Sequence, residues 1–329
     1  MLRVVDYIIF ISAEIYAALF CTRAWFQHVL WAGEARRFPC VSVPRHAEDK
    51  FLWRKVFDRS PLFAVLSDKI EIKSWVEANR IPVKTPKTIW TGDSLDDFPT
   101  EFFGRPLVLK SNHAWGHLIK LFEPDLTLYD LRTRAGGWLS EEHWKKNWEW
   151  GYRDVVPKYF VEEFLGELGT VPVEIKLYSF GPEIVRSIYI QTFEHDRAAT
   201  AWDHHDTFTV ELSKYRAGVA TIDFDPSKPP SHEIIQIAST IGSYLDHARI
   251  DLYDVDGEIY LGEVTLYNTG GRLSHFSYMR RHPMNLAWDL ERSWFFQEPQ
   301  SRFFEIYKAA YRRQMQRQNL QGDRRVRKG

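Results

Sequence analysis

Apolar positions follow a helical spacing in the first third of the chain and change to short runs near residue 106. The stretch from Met1 to Pro61 is predicted to form helices and loops. A further helix is predicted to begin at Ser67, whose hydroxyl can cap the first turn, and to run through Val76. It should end at Ile81, because a residue that precedes proline is pushed out of the helical region. Gly92 to Pro99 is predicted to be a loop.

The short runs that follow residue 106 predict strands and hairpins. They cover Pro106 to Lys110, Leu118 to Phe122, Tyr159 to Glu163, Val173 to Phe180, Glu183 to Thr192 and Arg249 to Leu266. Amphipathic helices are predicted at Ser231 to His247 and at Ser301 to Arg317. The second should turn inward Phe303, Ile306, Tyr307 and Ala310. The predicted fold class is α+β with two sheet regions, and a cleft between them is the expected site.

The N-terminal segment from Val4 to Phe20 is mostly apolar, but Asp6 and Glu14 interrupt it. A spanning helix needs about 20 apolar residues, and a central carboxylate costs a few kcal/mol there. We therefore expect a helix packed on the protein body. The alternative is an amphipathic helix in peripheral contact with the inner membrane face, with the aromatic side chains that follow it at the interface.

Charge and cysteine content narrow the class of protein. The 329-residue chain has a formal net charge of −1, and its concentrated basic run, Arg324 to Lys328, is predicted to be a solvated tail. A nucleic-acid partner is not expected, because it would normally leave a basic footprint. Cys21 and Cys40 provide neither a CxxC zinc site nor a disulfide framework, which fits a cytoplasmic protein.

The segment from Ala248 to Thr265 is predicted to be a hairpin, with Val255-Asp256-Gly257 as a three-residue loop. This loop sets the register of the two strands. It pairs Asp254 with Glu258, Asp251 with Leu261, and Arg249 with Glu263.

Four polar side chains share one face of this predicted hairpin, namely Arg249, Asp251, Glu263 and Thr265. Two carboxylates and a guanidinium are costly to bury unless they hold something, and hard oxygen ligands suit Mg²⁺. The alternative is an exposed face with an ordinary Arg249–Glu263 ion pair. The following Gly270-Gly271 favours the ligand site, because adjacent glycines let the backbone approach a ligand closely.

Two other segments carry groups suited to a nucleotide. Lys110 ends a strand and precedes the polar loop from Ser111 to His117, so a point charge and loop N–H groups could clamp phosphates. The strand from Tyr159 to Leu165, followed by Glu174 and Lys176, could offer backbone groups to adenine and a carboxylate to ribose. An ordinary hairpin and a charged edge strand are the alternatives.

Clusters of aromatic residues and histidines are open to two interpretations. His113 and His117 have the spacing of helical zinc ligands, but their predicted loop disfavours metal binding. A polar loop is likewise favoured for His204-His205. A third cluster is predicted to pack in a core, with a stacking platform for a sugar as the alternative. It contains Trp138, Trp144, Trp148, Trp150 and Tyr152.

The order of these motifs is similar to that of the ATP-grasp superfamily: Asp68-Lys69, VLK with its loop, EEFL, then RIDLY, GEVT and GG. LKSNHAWG, EEFLGE, EIKLYSFG and RIDLYDVDGEIYLGEVT resemble the TupA-like ATP-grasp family over roughly residues 45 to 290. That family is linked to teichuronic acid and other surface-polysaccharide biosynthesis. The resemblance implies an ATP-grasp fold of two α+β subdomains with a nucleotide cleft between them, preceded by a helical N-terminal segment.

The resemblance also implies roles for individual residues and the cofactors ATP and Mg²⁺. The last hairpin is similar to that of D-alanine–D-alanine ligase, which makes Asp251 and Glu263 metal ligands, with Thr265 where the family has asparagine. Arg249, which would steady the acyl-phosphate or the tetrahedral intermediate, and Lys110 would be catalytic. Apart from the resemblance, His113 is also predicted to be catalytic and to contact phosphate or acyl-phosphate. Lys69 and Lys110 would contact phosphates, and Glu174 the ribose. The remaining nucleotide contacts would be Lys176 and, around adenine, Glu162, Glu163, Phe164 and Leu165.

The implied reaction is ADP-forming ligation of a small-molecule or sugar-linked carboxylate to an amine through an acyl-phosphate. A kinase on the same fold and a non-catalytic nucleotide-binding scaffold of a polysaccharide assembly are the alternatives. The predicted segments are an N-terminal helical part (1–65), a linker and helix (66–105), a small subdomain (106–165), a large subdomain (166–300), and a C-terminal helix with its tail (301–329).

Overall fold

The chain divides by its contacts into two compact units, Pro61–Asn268 and the combined chain ends Met1–Ser60 and Thr269–Gly329. The computed structural model describes residues 4–20, 23–26, 39–166, 172–192, 197–203, 211–215, 230–271 and 283–326. The five-segment division made from motifs stays a prediction.

The described strands belong to the Pro61–Asn268 unit. They are β1 (Thr88–Gly92), β2 (Leu107–Ser111), β3 (Leu118–Lys120), β4 (Tyr159–Glu163), β5 (Val173–Phe180), β6 (Glu183–Thr192), β7 (Arg197–Asp203), β8 (Glu211–Tyr215), β9 (Ala248–Val255) and β10 (Glu258–Thr265). They form a four-stranded sheet, β1-β4-β2-β3, and a six-stranded sheet, β10-β9-β5-β6-β7-β8. Both sheets are antiparallel. Together with the helices they confirm the predicted α+β class.

The described helices occur in both units. They are α1 (Val4–Phe20), α2 (Ala47–Phe57), α3 (Leu62–Ser67), α4 (Glu71–Ala78), α5 (Leu128–Ala135), α6 (Trp144–Asn147), α7 (His232–Gly242), α8 (Pro283–Ala287), α9 (Trp294–Gln297) and α10 (Arg302–Val326). Helix α7 begins as predicted, because the Ser231 hydroxyl accepts a hydrogen bond from the Ile234 N–H at 3.3 Å. It ends at Gly242, five residues before the predicted end at His247.

Two other helix predictions need correction. Ser67 ends α3 instead of starting a helix. At the start of α4, the Asp68 carboxylate accepts hydrogen bonds from the N–H groups of Ile70 and Glu71 at 2.8 and 3.3 Å. Helix α10 buries Tyr307 and Ala310 as predicted, but Phe303 and Ile306 lie on its outer side, 39% and 45% exposed.

The four-stranded sheet separates a core from a polar face because successive strand residues point to opposite sides. One side belongs to an apolar cluster that buries Leu107, Leu109, Ile119, Tyr159 and Val161. The other side presents Val108, Lys110, Leu118, Lys120 and Glu162 to a cavity. The cluster also contains Leu131 and Trp138, so the residues between β3 and β4 cover the apolar side.

The unit formed by the chain ends has an aromatic core. Trp53 stacks on Phe296 with ring centroids 5.6 Å apart, and Phe57 stacks on Tyr307 at 5.1 Å. The Trp53 indole N–H donates to the Tyr307 hydroxyl at 2.8 Å. This core joins α2, α9 and α10, which come from opposite ends of the sequence.

Helix α1 packs on the body of its unit, as predicted, through Ile9, Phe10, Ala13 and Ala17. Its two acidic side chains are engaged within the unit. The Arg313 guanidinium donates to buried Asp6 at 2.5 Å, and the backbone N–H groups of residues 41 and 42 donate to Glu14 at 2.9 and 2.7 Å.

The exposed side of α1 carries no charged residue; its members are Val4, Val5, Tyr7, Ile8, Ile11, Ile15 and Leu19. No helix among the described residues has the length and hydropathy needed to cross a membrane. Peripheral membrane contact through α1 stays a prediction.

We expect the double substitution Ile8→Asp and Ile15→Asp to weaken binding to phosphatidylglycerol-containing vesicles more than tenfold. Burying one such side chain contributes about 1.5–3 kcal/mol, and a carboxylate would oppose insertion. Vesicle flotation measures the effect. The control is Tyr129→Asp, which charges a residue that is 78% exposed in the other unit.

Equal flotation of the wild type and the double variant would contradict membrane contact. A change from dimer to monomer on gel filtration, without vesicle binding, would instead identify the covering partner as a second copy.

Candidate functional site

A cavity of about 480 Å³ lies in the Pro61–Asn268 unit, lined by residues of both sheets. The sequence-predicted nucleotide contacts that line it are Lys69, Lys110, Glu162, Glu163, Phe164, Leu165 and Glu174. Glu263, predicted as a metal ligand, lines it as well. Residues separated by almost two hundred positions in the sequence therefore meet around one space.

The hairpin of β9 and β10 has a shorter turn than predicted. Asp256 and Gly257 form a two-residue turn in which both have positive φ, 53° and 83°. Glu258 therefore pairs with Val255, and the predicted Asp254–Glu258 pair is wrong.

A bulge at Gly262 then shifts the register by one residue, so that Glu263 lies opposite Asp251 and Thr265 opposite Arg249. The shorter turn and the bulge together shift the register by two residues, which is why the predicted pairs Asp251–Leu261 and Arg249–Glu263 are wrong. Glycine suits the bulge, because a Cβ there would lie 2.6 Å from the Tyr253 ring.

The bulge nevertheless leaves Arg249, Asp251, Glu263 and Thr265 on one face, where they form a charge cluster. One nitrogen of Arg249, Nη2, donates to Asp251 Oδ2 at 2.6 Å, Glu263 Oε1 at 3.2 Å and Thr265 Oγ1 at 3.0 Å. All three predicted metal ligands therefore contact one cationic atom.

A second cation completes the cluster. Lys176 Nζ donates to Asp251 Oδ2 at 2.9 Å and to Glu174 Oε1 at 2.7 Å. Burial favours the neutral acid of Asp251, but Arg249 and Lys176 lower its pKa below the ordinary value. Glu174 differs, because burial and the charge of Asp251 raise its pKa.

The donor chemistry of this cluster fits a hard divalent cation, because carboxylate and hydroxyl oxygens converge on a point that already holds positive charge. Asp251 is buried and both of its oxygens accept from Arg249. Glu263 lines the cavity with 34% of its side chain exposed. Of the two carboxylates predicted to bind the metal, Glu263 is therefore the accessible one, and Asp251 lies behind it.

Glu162 holds two lysines at the cavity. Its carboxylate accepts from Lys110 Nζ at 2.5 Å and from Lys73 Nζ at 2.6 Å. Lys73 also donates to the carbonyl of Pro86 at 2.7 Å and to the Thr88 hydroxyl at 2.8 Å. Burial would raise the pKa of Glu162, but Lys110 and Lys73 together lower it.

The loop after β2 is tied to the start of α4. Asn112 donates to Asp68 Oδ2 at 2.9 Å, and the Lys69 N–H donates to the Asn112 carbonyl at 3.2 Å. The Lys69 ammonium donates to the carbonyl of Ala114, and burial lowers its pKa. Lys69 and Lys110 thus place two amines beside one loop of the cavity.

The structure does not bring every predicted residue to the cavity wall. His113 is buried away from it, with its ring centroid 6.2 Å from that of His117, and burial lowers the pKa of its imidazole. His113 therefore does not line the cavity, and its predicted contact with phosphate stays a prediction. Arg249, Asp251, Thr265 and Lys176 lie behind the lining residues.

The predicted tryptophan cluster divides into two parts. Trp138 is buried in the core of the four-stranded sheet. Trp144 stacks on Trp150 with centroids 5.1 Å apart, and Trp148 packs against both. None of these four indoles lines the cavity. His204-His205 and Arg272 lie outside the described residues.

Sequence reasoning missed Lys73 and the role of Gly262. Lys73 lies next to an apolar position of an amphipathic helix, a pattern typical of solvent-exposed lysine. Gly262 lies inside a run of alternating residues, and an isolated glycine in a strand is the one signal that indicated a bulge.

We expect Glu162→Gln to lower the free energy of unfolding at neutral pH by on the order of 2 kcal/mol, because it leaves two partly buried ammonium groups without their counter-charge. The pKa of Glu162 is lower in the folded protein than in the unfolded chain, where it is about 4.3. The ionised carboxylate therefore stabilises the fold at pH values above about 4.3. That contribution is lost as pH falls through the lower folded pKa. Urea unfolding at neutral pH and near pH 3.5 measures both effects.

Glu163→Gln is the matched control, because its carboxylate accepts from the backbone N–H of Lys87 and pairs with neither lysine. The free energy of unfolding of Glu162→Gln is compared with that of the wild type at each pH. If the difference stayed constant across this pH range, the charge of Glu162 would not be its cause.

Comparison with solved structures gives three similar proteins. D-alanine–D-alanine ligase from Bacillus anthracis is 14% identical, over 77% of this chain and 70% of that one, with a TM-score of 0.39. The ATP-grasp ligase PsnB complexed with minimal precursor is 13% identical, over 71% and 63%, with a TM-score of 0.38. D-cycloserine synthetase DcsG is 14% identical, over 69% and 71%, with a TM-score of 0.38.

No curated protein sequence matches the chain significantly. The family described as TupA-like ATPgrasp matches residues 49–280. This range includes both sheets, the cavity lining and the charge cluster of β9 and β10. Because the match extends over more than half of the chain, the protein belongs to the TupA-like ATP-grasp family.

Proposed function

We propose that the protein is an ATP-dependent, ADP-forming ligase that joins a carboxylate to an amine. The observation that carries this proposal is the convergence of Asp251, Glu263 and Thr265 oxygens on Arg249 Nη2. The cavity beside these oxygens also holds Lys69 and Lys110. A site that binds a nucleoside triphosphate needs oxygen ligands for its cation and amines for its phosphates.

In this proposal the cavity residues hold Mg-ATP. Lys69 and Lys110 contact its phosphates, and Glu263, backed by Asp251 and Thr265, holds the metal. The residues from Glu162 to Leu165 line adenine. Glu174 contacts ribose, supported by Lys176. When bound, Mg²⁺ would neutralise part of the negative charge of the ATP phosphates.

Arg249 acts first as a positioning residue in this site. Its guanidinium fixes Asp251 through two hydrogen bonds of 2.6 Å and reaches Glu263 at 3.2 Å. The catalytic role proposed for Arg249 is contact with the acyl-phosphate. For that contact the guanidinium would have to give up part of its hydrogen bonds to Asp251 and Glu263, which it could do if Mg²⁺ were bound by these carboxylates.

The chemistry needs no nucleophilic side chain. A carboxylate oxygen of the acid attacks the γ-phosphorus of ATP, the bond to the β–γ bridging oxygen breaks, and ADP leaves. The amine nitrogen then attacks the acyl carbon, loses a proton and displaces inorganic phosphate. The protein contributes placement and charge neutralisation, which lower the barrier without covalent participation.

We further propose that the acid and amine are small or sugar-linked molecules used in surface-polysaccharide synthesis, and that the reaction occurs in the cytoplasm. Family membership supports this finer assignment. The two alternatives, a kinase and a non-catalytic scaffold, predict different outcomes when ADP release is measured.

The test measures ADP release over a matrix of paired acids and amines, with mass spectrometry of the products. A ligase releases ADP only when both acid and amine are present, and the product mass equals their sum less water. Release with an acceptor alone, giving a stable phosphorylated product, would identify a kinase. ATP binding with no turnover across the matrix would favour the scaffold.

We expect Glu263→Gln to reduce ADP release by at least a hundredfold, because it removes the accessible negative oxygen of the metal site. The control is Glu258→Gln on the same strand, whose carboxylate pairs with Lys84 on the surface. Turnover in Glu263→Gln equal to that of the control would refute the metal assignment.

A further inference from the structure

Three side chains outside the magnesium cluster form a second group of metal-ligand type. One ligand atom each of His117, Glu141 and His143 lie within 4.8 Å of one another. His117 belongs to the loop between β2 and β3, whereas the other two precede α6. We propose that these three residues form a zinc site in the wall of the nucleotide cavity.

The closest pair of ligands already has the spacing of a metal site. His117 Nε2 lies 3.5 Å from Glu141 Oε1. Ligand atoms around a tetrahedral zinc, at bonds of about 2.0–2.1 Å, lie about 3.3 Å apart. The distances to the third ligand, His143, are at most 4.8 Å and would therefore need to shorten by at most about 1.5 Å.

Groups outside the three ligands orient them. His117 Nδ1 is hydrogen-bonded to the Ser111 hydroxyl at 2.8 Å, which leaves Nε2 directed at Glu141. The ring of His117 also stacks on Trp138, with centroids 4.5 Å apart and planes 8° from parallel. Lys146 Nζ donates to the other carboxylate oxygen of Glu141 at 2.7 Å. Outer partners of this kind fix ring orientation in zinc sites.

His143 supplies an independent reason to expect a ligand. Its side chain is buried, and Nδ1 has no hydrogen-bond partner among the described residues. Nε2 has a long contact, 3.4 Å, with the Trp115 N–H. A buried imidazole without a strong hydrogen bond is costly, and a metal bond would offset that cost.

The residue types of the three ligands indicate which metal the site would take. Two imidazoles and one carboxylate favour Zn²⁺ over Mg²⁺, which prefers oxygen ligands.

The position of the site indicates what the metal would do. His117 lines the cavity next to Trp115 and Gly116, whereas His143 is a buried residue that contacts Trp115 of this loop. A shared zinc ion would fix the loop to the segment before α6. It would thereby hold the wall beside Lys69, whose ammonium donates to a carbonyl of the same loop.

The test uses the full-length, untagged chain after chelator treatment, titrated with Zn²⁺ by calorimetry. We expect one equivalent to bind, and His117→Gln and His143→Gln each to weaken binding at least tenfold. The control His232→Gln, at the start of α7, should bind like the wild type. Zinc should raise the melting temperature of the wild type and not that of the two ligand variants.

Failure of this proposal is distinguishable from failure of the proposed function. Glu263→Gln should lose ADP release and keep zinc affinity. Titration with Co²⁺ gives a readout on the wild type alone, because a tetrahedral site produces intense visible absorption. Absence of these bands, of stoichiometric zinc, or of any difference between the ligand variants and His232→Gln would overturn the site.

Discussion

The site depends on the neutralisation of one buried carboxylate. Asp251 is 1% exposed, and a charge at that depth persists only when cations compensate it. Arg249 and Lys176 provide this compensation from β9 and β5, which are neighbouring strands. Each of them also reaches a second carboxylate, Glu263 and Glu174 respectively, which faces the cavity. The buried charge therefore orders the acidic groups that the cavity exposes.

A second balance of charge organises the four-stranded sheet. Glu162 neutralises Lys110 on the neighbouring strand and Lys73 on α4. Since strand residues alternate between two faces, the same five residues of β4 bury Tyr159 and Val161 in the core and turn Glu162 to the cavity. Packing on one side thus sets the positions of charges on the other. A rigid apolar layer under the sheet explains how a cavity can keep several like charges at fixed distances.

The strands could be predicted from the sequence, but the register in which β9 pairs with β10 could not. Strand β4 and the hairpin of β5 and β6 were predicted to the residue, because alternating apolar residues and Gly181-Pro182 mark them clearly. The hairpin of β9 and β10 was predicted as an element, yet its turn was one residue too long and its bulge was missed. Each difference shifts the register by one residue in the same direction, and a total shift of two residues keeps the same side chains on one face, so the shared face was right although its pairs were wrong. Lys73, Glu141 and His143 could not be assigned, because their neighbours in space are distant in sequence and no local pattern distinguishes them from surface residues.

The unit formed by Met1–Ser60 and Thr269–Gly329 combines two distant parts of the sequence, and this has a consequence for how the protein is synthesised. Trp53 and Tyr307, joined by a hydrogen bond in its aromatic core, are 254 residues apart in the chain. A ribosome that adds about 5–20 residues per second delivers the second partner tens of seconds after the first. During that interval the Pro61–Asn268 unit emerges complete, while α1 and α2 lack the helices that cover them. During that interval the nascent chain therefore carries the uncovered apolar faces of α1 and α2, and this period is when a chaperone would have its substrate.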